Sequence, residues 1–288
     1  MEATPTTTRD SRTRGTRVRS WGFPFSSSGL APGGVAAPLV AESLGQQVAG
    51  FGGYALLAEQ LYLDVGGYTT LSAGGQKSLG VDPAGEAETD GFAPWWRVAY
   101  QHAWGPHYLE VGTYGLHADT FPDRMHGAGH DRLTDFAVDS QYQYLTDRND
   151  VTLLFNYTNQ WADWNASQPL GLAGNSSDYL WSLTTTASYL FDKRYGVDVQ
   201  YFITDGDSDA VLYGTRTGSP RTSGWIFQLD WLPLARRGGP SFWPKSAVKL
   251  SAQYVLYDHF DGASDDYDGT GRDASDENTL YLQAWIVF

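Results

Sequence analysis

Along most of the chain, large apolar residues stand at every second position, with polar or small residues between them. The C-terminal stretch NTLYLQAWIVF shows the rule: Leu280, Leu282, Ala284, Ile286 and Phe288 fall on one face, and Thr279, Tyr281, Gln283, Trp285 and Val287 on the other. A period of two predicts β-strands with one apolar and one wetter face. The same alternation runs through 247–257, 224–232, 196–204, 178–191, 151–158 and 136–144, and through shorter runs around Glu110, Arg97 and Asp64. With the Gly-rich QQVAGFGGYALL at 46–57, about eleven strands are predicted.

The connections sort by length. Short links at 58–59, 105–107, 146–150 and 192–196 alternate with long polar ones at 73–90, 118–131, 163–176 and 205–221; a moderate link at 233–245 precedes the acidic 259–277. Short turns at one end and long loops at the other are the pattern of an antiparallel transmembrane β-barrel. Strands of about ten tilted residues are also long enough to cross a bilayer's hydrocarbon. Trp95, Trp96, Trp104, Tyr108, Trp161, Trp164, Tyr179, Trp181, Tyr189, Trp225 and Trp231 lie near segment ends, where they would form interfacial girdles, although aromatic residues favour strands in any case.

In such a barrel the wetter faces turn inward. The predicted lining is Asp64, Arg97, Glu110, Asp139, Gln141, Asn156, Asp198, Gln200, Gln228, Asp230, Lys249, Gln253 and Gln283. Five acids against two bases imply a weak preference for cations in a water-filled pore; ordinary lining residues without tuned selectivity would give the same list. If Phe288 ends on the short-turn side, the strand at 46–57 begins on the opposite side. A closed barrel then calls for an odd number of further N-terminal strands.

Composition narrows the partners. The net charge of −14 argues against nucleic acid, whose phosphates need Lys and Arg. There is no Cys, which excludes disulfides, thiolate metal sites and covalent c-type haem on this chain. No run approaches the ~18 apolar residues of a spanning helix. Residues 1–20 are polar, with Arg at 9, 12, 14, 17 and 19 and no apolar core of a signal peptide; they read as a disordered basic leader, a mistaken start, or an arm for anionic lipid. Residues 21–45 read as a loop, with room for a short helix at 35–44 that could fold into the lumen, and 46–288 as the barrel.

Candidate chemistry is sparse. His117, His126 and His130, with Asp119, Asp123 and Asp131, could hold a transition metal, but HGAGH at 126–130 lacks the helical setting of a zinc motif. His102 and His107 flank a tight turn and are weaker candidates for haem ligation. The Asp-rich 261–277 hints at calcium, but its glycines do not fit an EF-hand register, and Asp and Gly are the usual turn formers, so solvated turns are the favoured reading. There is neither a nucleophile elbow nor a phosphate loop, so no enzyme is predicted.

Five blocks carry a family resemblance: WGFPFSSSGLAP (21–32), QQVAGFGGYAL (46–56), LEVGTYGLHAD (109–119), DRLTDFAVDSQYQYL (131–145) and DGTGRDASDENTLYLQAWIVF (268–288). From about residue 21 onward the chain resembles the proteobacterial outer-membrane porin-like proteins often labelled "cytochrome c". The resemblance implies a cell outer-membrane barrel, with outer-membrane lipid and the barrel assembly machinery as partners and the terminal Phe288 as the assembly signal. It implies a passive channel for small hydrophilic solutes or ions. The alternative is a barrel that sheathes a c-type cytochrome. Family members carry a secretory signal, a CxxCH motif and first strands upstream; this sequence contains none of these.

Overall fold

The computed structural model describes residues 25, 31–43, 48–80, 87–234 and 247–287. The strands are β1 (Val48–Leu57), β2 (Leu61–Thr70), β3 (Glu88–Thr89), β4 (Ala93–Trp104), β5 (His107–Phe121) and β6 (Asp131–Leu145), followed by β7 (Asn149–Asp163), β8 (Ser177–Phe191), β9 (Tyr195–Gly206), β10 (Thr222–Trp231), β11 (Ala247–His259) and β12 (Thr279–Val287). All twelve belong to one antiparallel sheet in sequential order, except that β3 pairs only with β5. The eleven longer strands fall where the alternation predicts them. The two-residue β3 and the helix α1 (Ala73–Ser78) lie in a stretch expected to be loop, and both are too short to leave a periodic signal.

Turn chemistry fixes which end is which. Ala58 and Glu59 (φ 50 and 59), and Asp192 and Lys193 (φ 52 and 58), are left-handed pairs that open the three-residue links 58–60 and 192–194 between strands. Gln60 N–H and Arg194 N–H close them onto Leu57 O and Phe191 O at 3.0 and 2.9 Å. These tight turns share one end of the sheet with the β4–β5 and β6–β7 links. The β2–β4, β5–β6, β7–β8, β9–β10 and β11–β12 connections share the other, called here the loop end. β5 runs through Phe121, so 118–121 is strand and not loop as the sequence suggested.

β1 and β12 are the two edges, and no ladder joins them among the described residues. The strands expected to form an N-terminally incomplete barrel thus make one open antiparallel sheet here. Both edge strands run from the loop end to the turn end, so an all-antiparallel ring would need an odd number of strands between them. Phe288, residues 1–24 and the 235–246 link lie outside the described residues.

The two faces are unlike, and in the opposite sense to a soluble sheet. On β4 the burial alternates so that Arg97 is 2% exposed while its neighbours Trp96 and Val98 are 36% and 38% exposed. Leu153, Phe155, Phe227 and Leu229 are likewise exposed, whereas Asp139, Asn156, Asp198 and Gln228 are buried. Such burial of polar side chains without a second packed layer requires the sheet to coil toward its polar face, where side chains of neighbouring strands converge.

Two apolar clusters sit on that inner face toward the loop end. One combines Leu39 with Ala93, Trp95, Tyr114, Leu116, Ala118 and Ala137. The other stacks Val255, Tyr257, Phe260, Tyr267 and Ala274, with Tyr257–Phe260 and Phe260–Tyr267 ring centroids 5.2 and 5.0 Å apart.

Candidate functional site

All thirteen predicted lining residues lie on the polar face, because the ladder registers place them opposite one another. Asp64 faces Arg97, Glu110 faces Gln141, Asp139 faces Asn156, Asp198 faces Gln228, and Gln283 faces Ser251. They separate into two groups, on β2–β7 and on β8–β12.

The first group centres on Arg97. Its Nη1 and Nη2 donate to Asp139 at 3.1 and 2.8 Å in a two-pronged fork, and Nη2 also reaches Glu110 at 2.8 Å. The planar guanidinium suits such a fork where lysine would not. Tyr108 Oη lies 2.6 Å from Glu110 and 2.9 Å from Gln101, and Asn156 Nδ2 donates to Tyr114 Oη at 2.5 Å. The Arg97 guanidinium also lies 5.6 Å from the centre of the Tyr114 ring. Gly112 makes the approach feasible: a Cβ there would stand 2.6 Å from Asp139 Oδ1 and 3.0 Å from Arg97 Nη2.

The second group is looser. Lys249 Nζ pairs with Asp230 at 2.9 Å, Gln253 donates to Gln228 at 2.9 Å, and Thr186 donates to Gln200 at 3.0 Å. Of the five acids, Asp64, Asp198 and one of the Glu110/Asp139 pair are not balanced by these two bases, so the face keeps a negative excess. Trp95 Nε1 donates to Asp64 at 3.4 Å. Trp95 and Tyr108, expected in a girdle, thus belong to the polar face, both buried.

The loop end is held by carboxylates that accept backbone N–H groups. Asp131 takes Ala166 N–H and Ser167 N–H at 2.8 and 2.9 Å, and so is a loop anchor and not a metal candidate. Asp209 takes Gly174 and Asn175 N–H from one loop, and Val211 and Leu212 N–H at the start of α2 (Ala210–Tyr213). Burial pushes the Asp209 carboxyl up, but these four N–H donors hold it below the usual carboxylate range. The acidic 261–277 is largely turn and bend, with Asp265 and Asp276 exposed as expected, but it also holds one packed group. Tyr267 and Glu277 are buried and hydrogen-bonded to each other, Arg272 pairs with Glu277, and burial pushes the Tyr267 hydroxyl up to about 12.

The three histidines each lie beside carboxylates, and His117 and His130 share Asp119. His130 meets Asp90 at 3.0 Å and Asp119 at 3.8 Å, His117 meets Asp119 at 3.8 Å, and His126 meets Glu88 at 3.2 Å. Among the described residues no group of three or more acids and histidines is placed to hold a metal ion. His107 Nδ1 lies 2.7 Å from Tyr142 Oη, and the His107 ring stacks on Trp104, which stacks on His102.

Residues 31–43 cross the inner face at the loop end. Tyr257 Oη donates to Pro32 O at 2.7 Å, and Val35 N–H donates to Asp261 Oδ1 at 3.1 Å. Burial raises the Asp261 carboxyl above its ordinary range, offset in part by that N–H and by Thr222. Farther along, Val40 N–H donates to Asp135 Oδ2 at 2.7 Å, and a π-helical turn at Leu39–Ser43 packs against β5 and β6. The expected short helix at 35–44 is this single turn. Compared with family models, curated proteins and solved structures, the chain matches none.

Proposed function

We propose that this chain is a porin-like channel of the cell outer membrane, admitting small hydrophilic solutes or ions by passive diffusion with a weak preference for cations. The observation that carries the reading is the reversed burial: carboxylates, amides and an arginine converge on the inner face, while Val111 (51% exposed), Leu153 (46%) and Leu229 (60%) face outward. In water such a surface would be a large contiguous apolar liability; against acyl chains it is the favourable arrangement. The sorting of turns and loops to opposite ends supports the same reading. None of the helices among the described residues is long and apolar enough to cross a membrane, and a barrel crosses with strands.

The cation preference rests on the negative excess left by Asp64, Asp198 and the Glu110/Asp139 pair once Arg97 and Lys249 are counted. The test is single-channel recording on the folded, reconstituted protein. Discrete ohmic steps are expected, with a reversal potential in a salt gradient displaced toward that of the cation. A folded, inserted protein that passes no current would sink the proposal.

A further inference from the structure

We propose that residues 31–43 are a fixed strap across the loop-end mouth of the channel and set its size limit, while the carboxylates below set its charge preference. This rests on the channel reading. The strap is tied at two distant parts of the sheet: at β11 through Tyr257 and the adjoining Asp261, and at β6 through the buried Asp135, which also accepts Gln160 Nε2 at 2.9 Å. Asp261 lies past the end of β11, with its N–H on Thr222 of β10. Four strand spacings separate β10 from β6, roughly 19 Å along the sheet. Val35 and Val40 are five residues apart, at most about 18 Å of chain. The segment therefore has little slack between its two ties.

Its composition fits a spacer and not a ligand site. APGGVAAPLV carries no charge, and its two prolines fix φ at Pro32 and Pro38, limiting motion. The β6 end is locked by Pro38 and Leu39, both buried, whereas Gly33, Gly34 and Val35, at the end tied to Asp261, are exposed. The stretch from 31 to 40, without charge, excludes by volume; Glu42 lies in the turn at the β6 end.

Because the chain has no Cys, Val35→Cys supplies a single thiol on the strap. Val35 is 42% exposed, and Val111→Cys on the outer face serves as control. Treating the reconstituted Val35→Cys protein with methanethiosulfonates of increasing bulk should lower the conductance in steps that grow with reagent size, leaving the control unchanged. The full chain lacking only 31–43 should conduct more and admit larger neutral polymers. A conducting wild type whose quantitatively labelled Val35→Cys form and strap-deleted form keep the parent conductance and size limit would overturn the strap and leave the channel standing. A silent wild type that conducts once 31–43 is removed would support the strap and overturn passive permeation through the intact chain; silence of both would overturn both.

Discussion

Arg97 on β4 reaches past β5 to clasp Asp139 on β6, with both terminal nitrogens donating at 3.1 and 2.8 Å. The partners are 2% and 4% exposed, and Glu110 takes a further bond at 2.8 Å. Removing one member of a buried pair leaves an uncompensated charge, worth about 3–5 kcal/mol. Arg97→Met should therefore cost stability in that range, measured by urea unfolding in micelles followed by Trp fluorescence. A loss under about 1 kcal/mol would mean that water already screens the pair.

Gly112 is the space in which this clasp forms. Gly112→Ala would set a Cβ 2.6 Å from Asp139 Oδ1 and 3.0 Å from the Ala99 Cβ. Overpacking of this kind costs about 1–3 kcal/mol. The penalty should shrink in an Arg97→Met background, because the two sites share a partner. Additive losses in the double mutant would show that Gly112 acts on the backbone alone.

The strands and their faces were legible because alternation is a local signal, repeated in every strand of a sheet with unlike faces. That is why Gln283, Gln253 and Gln228 fall on the same face in sequence and structure. What was not legible is non-local. Nothing near Asp209 announces that it accepts N–H groups from residues 34 and 35 positions earlier, nor does the sequence around Asp131 mark it as an anchor for Ser167. Asp131 read as a metal candidate because a carboxylate that binds backbone looks the same in sequence as one that binds a cation. Trp95 and Tyr108 read as girdle residues from position near strand ends, but the pleat turns them inward. The dense acids of 261–277 concealed the aromatic stack of Phe260 and Tyr267 beneath them.

Asp209 makes the loop end sensitive to acid. Its folded value is lowered, so its contribution is fully present above the unfolded carboxylate value of about 3.9 and is lost as pH falls through the lower folded value. Hydrogen exchange in 163–176 and 207–221 should be slow at neutral pH and quicken in that acid window, after correction for intrinsic rates. Asp209→Asn should show quickened exchange already at neutral pH. Unchanged protection in both cases would deny Asp209 its role as a clamp.

Asp64 and Lys249 should move ion selectivity in opposite directions. Asp64 is partly exposed on the polar face and takes a long 3.4 Å bond from Trp95 Nε1, whereas Lys249 neutralises Asp230 at 2.9 Å. Asp64→Asn removes a negative charge from the pathway and should lower the cation-to-anion permeability ratio. Lys249→Gln releases Asp230 and should raise it. Reversal potentials in a tenfold KCl gradient read both shifts, and identical potentials in the three proteins would place these residues off the conduction path.

Val138 and Val151 lie on the same outer face at different heights, Val138 midway along β6 and Val151 two residues from the turn-end start of β7. The same change to Arg at each separates a bilayer from water as the outer solvent. In lipid, a charge at the midplane costs about 2–4 kcal/mol and one near the interface about 0–1 kcal/mol. In water, both outer-face substitutions stay within about ±0.5 kcal/mol. Val138→Arg should therefore destabilise the lipid-reconstituted protein by several-fold more than Val151→Arg, in equilibrium unfolding from vesicles. Equal, small effects at the two heights would show that this apolar face does not meet acyl chains.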